Sequence, residues 1–198
     1  MNLIFFIKSK TINLDKYTIK DVPGSSGRLD VISRCVLSAI LGGEGFERDV
    51  QIWVFLDRYG TFIFNPELFD YGSFPKKEIL LTDYFVKFIQ KYHTNRDPSL
   101  NPLSSIKQSK LNIIEAIKYF QKLNYNLYIL HEQGHDFLKL LSYIKEKENI
   151  VFIIGSQEDE FLDSKELLAF NIPTISIGNQ LYLASSVIRL LKLHLMAF

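Results

Sequence analysis

Short apolar runs alternate with amphipathic segments along most of the chain. Uniformly apolar runs are typical of strands buried on both faces of a sheet, whereas apolar positions three and four residues apart indicate helices. We predict strands at Leu3–Ile7, Val50–Leu56, Thr61–Phe64, Leu127–Leu130, Ile150–Ile154 and Thr174–Ile177. We predict helices from the turn Gly24–Gly27 to Gly42 and at Glu78–Tyr92, Leu111–Leu123, His135–Lys147, Ser164–Phe170 and Leu181–Leu195. This order predicts an α/β fold in which a mostly parallel sheet carries helices on both faces. The 198 residues fit one domain, residues 1–198.

The connections between these elements are polar or rich in turn-forming residues. Lys8–Pro23 predicts a loop, and Asp57–Gly60 predicts a hairpin turn between the second and third strands. Thr94–Ser105 contains two prolines with Asn, Asp and several Ser, which indicates a further loop. Within the first helix, Asp30 and Arg34 stand four residues apart in the order that favours an ion pair.

Three predicted strands end in residues that mark a candidate binding site. These endings are Leu130-His131-Glu132, Gly155-Ser156-Gln157 and Gly178-Asn179-Gln180. Ligands of parallel sheets bind beyond the carboxyl ends of the strands, and a glycine there lets a ligand approach the backbone. Each glycine taken alone is equally typical of an ordinary strand-to-helix turn. The convergence of all three endings is what favours a site.

Composition and charge narrow the function classes only a little. Apolar residues make up 47% and charged residues 23% of the chain, which is ordinary for a globular protein. Its one cysteine, Cys35, forms no internal disulfide, so we expect a cytoplasmic protein. We find neither a secretory signal nor an apolar stretch long enough to cross a membrane. The net charge is +1, but residues 76–122 hold nine Lys or Arg against four acids. That basic middle fits either a phosphate-binding face or solvated helix faces.

His131-Glu132-Gln133-Gly134-His135 matches the zinc-peptidase pattern HExxH. The pattern binds zinc when both histidines lie one helical turn apart. Here it follows a predicted strand, and Gly134 weakens a helix by about 1 kcal/mol. A metallopeptidase is therefore a minor alternative, and we expect no metal site.

Two separated segments carry a family resemblance. They are Asp21–Cys35, which reads DVPGSSGRLDVISRC, and Ile175–Ser185, which reads ISIGNQLYLAS. Together they resemble the archaeal tRNA pseudouridine N1-methyltransferases of the SPOUT superfamily, which act on pseudouridine 54 of the TΨC loop. The strands ending at Leu130 and Gly155 fall between them in the family's order, so the resemblance covers nearly the whole chain.

The resemblance implies a C-terminal trefoil knot, S-adenosyl-L-methionine (SAM) bound in a bent form, and a homodimer whose interface helps to form the active site. Its partner is implied to be the TΨC loop of tRNA. The residues at the family's cofactor-binding positions are Leu130, Gly155, Ile177, Gly178, Asn179, Gln180, Leu181, Tyr182 and Val187.

The chain departs from the family pattern at two places. Family members usually carry Cys where this chain has Val187, which removes any role for sulfur but keeps apolar packing. After Gly155 they usually carry a Gly-Asp-like pair and a further glycine, where this chain has the acidic Ser156–Glu160.

The chemistry implied by the resemblance needs the N1 proton of pseudouridine to leave while N1 lies in line with the methyl group. Asp30 is our candidate to accept or orient that proton, and Arg28 and Arg34 are candidate RNA contacts. The structural alternatives are a solvated Asp30–Arg34 ion pair and a solvated Arg28. Tyr182 is a candidate for stacking on a base or on adenine, or else for core packing.

Three other functions remain open from the sequence. A related branch of pseudouridine N1-methyltransferases acts on ribosomal RNA, although the compact length favours tRNA. The altered loop Ser156–Glu160 also fits a non-catalytic RNA-binding module on a methyltransferase scaffold. The third alternative is the metallopeptidase.

Overall fold

A computed structural model describes residues 1–92, 101–155, 160–178, 180 and 182–196 of the chain. Its strands are β1 (Asn2–Ser9), β2 (Val50–Leu56), β3 (Gly60–Phe64), β4 (Lys107–Ser109), β5 (Asn126–Asp136), β6 (Asn149–Ile154) and β7 (Thr174–Ser176). Its α-helices are α1 (Val22–Ser26), α2 (Leu29–Ile40), α3 (Glu78–Tyr92), α4 (Ile113–Lys122), α5 (Phe137–Lys145), α6 (Lys165–Leu168) and α7 (Ala184–Met196). Short 3-10 helices lie at Ile19–Asp21, Pro66–Leu68 and Glu160–Asp163.

The seven strands form one sheet in the order β4-β3-β2-β1-β6-β5-β7. β2, β1, β6, β5 and β7 run parallel, while β3 and β4 pair antiparallel at one edge. Phe5 at the centre lies opposite Ile52 on one side and Phe152 on the other. The predicted α/β class with a mostly parallel sheet is therefore confirmed, and the carboxyl ends of β5, β6 and β7 meet at one edge.

Helices cover both faces of the sheet, as predicted. α2, α3, α5 and α7 pack on one face through residues such as Ile32, Phe85 and Ile188. α4 and the segment around α6 pack on the other, where Phe120 and Leu167 contact the strands. Because both faces are buried, the central strands are almost uniformly apolar.

Several sequence predictions of element bounds are wrong for local reasons. The turn predicted at Gly24–Gly27 is mostly the short helix α1, since the Asp21 side chain caps the backbone N–H of Gly24 and Gly27 ends the helix in a left-handed conformation. The closing helix begins at Ala184 rather than Leu181. Strand β4 was not predicted, because three polar residues at a sheet edge carry no apolar pattern.

The helix predicted from His135 begins only at Phe137, because Asp136 is its N-cap and accepts from the N–H of Leu138. Lys8–Pro23 is not a plain loop, since it buries Ile12 and Leu14. The loop predicted at Thr94–Ser105 lies largely outside the described residues. Among the described residues, no helix is long and apolar enough to span a membrane.

Candidate functional site

A cavity of about 450 Å³ opens at the carboxyl ends of β5, β6 and β7. The structure brings together here the three strand endings singled out in the sequence. Seven of the nine residues predicted to bind the cofactor line it, namely Leu130, Gly155, Ile177, Gly178, Gln180, Tyr182 and Val187. The other two, Asn179 and Leu181, lie outside the described residues.

One wall of the cavity comes from an excursion in β5. Ile175 of β7 pairs with both Leu130 and His135, so residues 131–134 leave the sheet between the two pairings. A Cβ on Gly134 would lie 2.5 Å from the carbonyl carbon of Ile175, so this return to the sheet requires glycine. The excursion carries His131, Glu132 and Gln133 into the lining.

The opposite wall is the 3-10 helix Glu160–Asp163, which carries Leu162 and Asp163. A Cβ on Gly155 would lie 2.7 Å from Cδ1 of Leu162, so glycine lets this wall approach β6 closely. The His131 Nε2 atom lies 3.4 Å from the Asp163 carboxylate and joins the two walls. Sequence periodicity does not predict Leu162 and Asp163 as site residues, because a single 3-10 turn is too short to show a period.

Residues before and within α7 close the cavity. Tyr182 is 39% exposed at its rim, so the core-packing interpretation of this residue is wrong. Val187 packs partly buried against the core. The Ser176 hydroxyl donates to the carbonyl of Gly178 over 2.9 Å and fixes the turn after β7. Glu132 and Asp163 are acidic, and the described lining contains no lysine or arginine. The cavity therefore suits a small ligand with apolar parts and a positive charge.

Arg28, Asp30 and Arg34 form a cluster at the start of α2. Asp30 is 4% exposed, and its carboxylate accepts from Arg28 Nε at 3.2 Å and from Arg34 Nη2 at 3.1 Å. The predicted Asp30–Arg34 ion pair is present, but the alternative of a solvated pair is wrong because the carboxylate is buried. The Arg28 side chain is 47% exposed. None of the three lines the described cavity of the same chain.

Helix α7 links the cavity to α2. The buried Lys192 ammonium donates to the carbonyls of Ser38 and Leu41 at 3.0 and 2.8 Å, where α2 ends. Arg189 donates to the Ser38 hydroxyl at 3.2 Å. Burial lowers the pKa of Lys192 to about 8, although Glu47 acts against that shift. Sequence patterns missed Lys192, because a single lysine on an amphipathic helix is normally solvated.

The HExxH segment does not lie on a helix. His131–His135 belongs to β5, and the His131 Nδ1 atom accepts a hydrogen bond from the N–H of Gln133. The one-turn spacing that a zinc peptidase needs is therefore missing. Within the described residues there is no cluster of three metal-ligating side chains.

Comparisons with known proteins agree with this architecture. A solved structure, Archaeoglobus fulgidus Nep1 bound to S-adenosylhomocysteine, superposes with a TM-score of 0.64 over 98% of this chain and 97% of that one. Its sequence identity is 15%, so the likeness concerns the fold.

Two relatives match over nearly their full length. The tRNA (pseudouridine(54)-N(1))-methyltransferase of Pyrococcus abyssi is 30% identical over 97% of this chain and 96% of its own. The enzyme of the same name from Thermococcus onnurineus is 29% identical over 96% and 95%. A family model described as "Putative SAM-dependent RNA methyltransferase" matches residues 1–197. The chain therefore belongs to this family of SAM-dependent RNA methyltransferases, together with the archaeal tRNA (pseudouridine(54)-N(1))-methyltransferases.

Proposed function

We propose that this protein is a SAM-dependent methyltransferase that methylates N1 of pseudouridine 54 in the TΨC loop of tRNA, and that it acts in the cytoplasm. The observation that carries the proposal is the cavity at the ends of β5, β6 and β7, lined by residues at the family's cofactor positions. Full-length relatives bear the name of this activity.

The cavity fits the cofactor by size and by chemistry. Its volume of about 450 Å³ lies within the range of about 300–1,000 Å³ that is usual for small-molecule sites. Leu130, Ile177 and Val187 offer apolar contacts for adenine, and the backbone beside Gly155 and Gly178 offers hydrogen bonds. The carboxylates of Glu132 and Asp163 favour a ligand with a positively charged sulfur. Bound SAM supplies the methyl group. Asn179 and Leu181 complete the proposed cofactor set.

The Arg28–Asp30–Arg34 cluster is the proposed RNA-facing half of the active site. A buried carboxylate held by two guanidinium groups has a fixed direction, as a group that orients the N1 proton requires. Arg28 and Arg34 keep exposed edges for phosphate or base oxygens. Since the cluster lies outside the cavity of its own chain, we infer a homodimer in which a second copy brings it to the cofactor. A C-terminal trefoil knot around the cofactor is part of the same proposal.

The test is methylation of tRNA that carries unmethylated pseudouridine 54, followed by mass spectrometry of the nucleosides. We expect N1-methylpseudouridine at that position and none in ribosomal RNA treated in parallel. Methylation of the ribosomal RNA alone would show that the substrate is ribosomal RNA rather than tRNA. Absence of the product from both, beside an active relative, would contradict the proposal, and titration calorimetry without SAM binding would support an RNA-binding module instead.

The role of Asp30 is tested by Asp30→Asn, which keeps the side-chain volume and some hydrogen bonding. We expect kcat to fall by about 10²-fold or more, the usual contribution of proton transfer, with SAM affinity unchanged. If the variant transfers methyl groups at the full rate with unchanged tRNA affinity, Asp30 does not orient or accept the N1 proton. Asp83→Asn is a matched control, because its carboxylate pairs with Lys87 on α3 and lines neither cavity.

A further inference from the structure

A second and larger cavity, of about 1,570 Å³, lies on the α4 face at the same edge of the sheet. Its floor is the carboxyl end of β2 with the neighbouring ends of β3 and β4, and its walls are the start of α4 and the segment Phe161–Phe170. None of the cofactor positions of the family belongs to it. Single small-molecule sites rarely exceed about 1,000 Å³, so this cleft has room for part of a polymer.

The cleft adjoins the cofactor cavity, because Asp163 lines both of them. A chain-like ligand whose target nucleoside enters the cofactor cavity therefore has a continuous path into the cleft. The two cavities lie along one edge of the sheet, where parallel-sheet proteins bind their ligands.

The β4–α4 wall supplies the positive charge that such a ligand would need. Lys110 and Lys118 are exposed in the lining and form no ion pair with the described part of the chain. By contrast, Asp57 in the lining is paired with Lys8 at 2.8 Å, and Asp163 lies beside His131. The α4 N-terminus itself is closed by the Asn112–Glu115 capping box, so the lysine side chains remain the groups that bind an anion.

Aromatic and apolar surface completes the cleft. Phe170 is partly exposed in the lining, whereas Phe161 is only 9% exposed and lies under the Lys8 ammonium, 5.6 Å from its ring centroid. Lysines beside aromatic rings are the usual combination for single-stranded RNA, because phosphates contact the charges and bases contact the rings. The lysines also belong to the basic segment of the sequence, residues 76–122.

We propose that this cleft, bounded by Lys110, Lys118 and Phe161–Phe170, binds the RNA strand next to the target nucleoside. The proposal rests on the proposed RNA methyltransferase function and assigns that RNA a surface apart from the cofactor cavity. The carboxylate of Glu166 in the opposite wall repels RNA phosphates. We therefore expect the phosphates to lie on the lysine side of the cleft.

The test is fluorescence anisotropy of a pseudouridine-containing TΨC stem–loop RNA with the full chain and S-adenosylhomocysteine. For Lys110→Ala/Lys118→Ala we expect a Kd about tenfold higher at about 0.1 M salt, and a slope of log Kd against log salt that is shallower by about 1.4, since each single-strand phosphate contact contributes about 0.7. Lys110→Arg/Lys118→Arg keeps the charges and should retain binding. Lys139→Ala/Lys145→Ala on α5, on the other face of the sheet, is the matched control.

Glu166→Lys should increase the affinity for RNA, a change that misfolding of the variant cannot produce. We expect it to lower the Kd about threefold and to steepen the salt dependence. The proposal is overturned if the cleft variants change RNA affinity no more than the α5 control, or if the arginine pair loses as much affinity as the alanine pair. If the native protein methylates tRNA but the cleft variants bind RNA normally, the proposed RNA-binding role of the cleft is wrong and the methyltransferase function stands. If the cleft binds RNA but no N1-methylpseudouridine forms, the proposed methyltransferase function is wrong and the RNA-binding role of the cleft stands.

Discussion

Gly134 has no room for a side chain, because the backbone of the neighbouring strand β7 lies against it beside the candidate cofactor cavity. A Cβ there would lie 2.5 Å from the carbonyl carbon and 2.6 Å from the nitrogen of Ile175. We expect Gly134→Ala to push β5 and β7 apart and to destabilise the protein by about 2 kcal/mol, the usual cost of overpacking. SAM affinity should fall as well, since both strands line the cavity.

Chemical denaturation and calorimetry with SAM measure these two effects. Gly43→Ala is the control, because a Cβ there meets nothing within 4 Å. Equal stability of both variants would mean that the excursion in β5 adapts to a side chain.

Lys192 makes stability depend on pH. Burial lowers its pKa to about 8 in the folded protein, whereas in the unfolded chain the pKa keeps its ordinary value of 10.5. Between these two values the unfolded state binds more protons, so the contribution of Lys192 to the free energy of unfolding rises with pH and is lowest below pH 8. Relative to Lys192→Met, the native protein should therefore gain about 2 kcal/mol from pH 7 to pH 10, since each pKa unit corresponds to about 1.4 kcal/mol.

Urea unfolding of both proteins at several pH values measures that difference. Lys139→Met on the exposed side of α5 should show a difference from the native protein that does not change with pH. A pH-independent difference for Lys192→Met as well would show that its ammonium is not desolvated.

Among the elements, α4 begins with a complete capping box. The Asn112 side chain accepts from the N–H of Glu115, and the Glu115 carboxylate accepts from the N–H of Asn112, both at 2.9 Å. Asn112→Ala should cost about 1 kcal/mol of stability, because the helix start loses one acceptor. Gln121→Ala, exposed in the same helix, should change stability by less than about 0.5 kcal/mol. Thermal unfolding compares the two, and equal melting temperatures would contradict the role of the cap.

Element boundaries show where sequence patterns stop being informative. The uniformly apolar runs located β1, β2 and β6 closely, because burial on both faces leaves a strong signal. β5 continues to Asp136 beyond the polar residues after Leu130, because His135 and Asp136 return to pair with Ile175 and Ser176 of β7. The propensities of neighbouring residues do not predict this pairing, because β7 lies far from β5 along the chain.

At the scale of the whole molecule, exposed apolar side chains on α5 and α7 support the proposed homodimer. Three of them are more than half exposed, namely Leu138 at 54%, Tyr143 at 55% and Leu193 at 60%. The helices α5 and α7 contact each other through Phe137 and His194, whose ring centroids lie 5.9 Å apart. Leu193→Glu should weaken self-association about tenfold or more, since a charge would be buried in the interface.

Sedimentation velocity over a range of concentrations measures this change. Leu168→Glu on α6 is the control, because Leu168 is 55% exposed on the other side of the sheet. If the native protein stays monomeric, the proposed homodimer is wrong. If the two substitutions have equal effects on self-association, α7 is not part of the interface.

The α/β class, the mostly parallel sheet of apolar strands and the three strand endings around the cavity could all be predicted from the sequence. These features depend on local patterns of burial and on glycine, which the amino-acid order contains directly. The folded structure was needed to show that Asp30 is buried between two arginines, that residues 131–133 leave the sheet to line the cavity, and that Lys192 binds the end of α2. Each of these depends on a partner distant along the chain, and such contacts form only when the sheet and its helices pack.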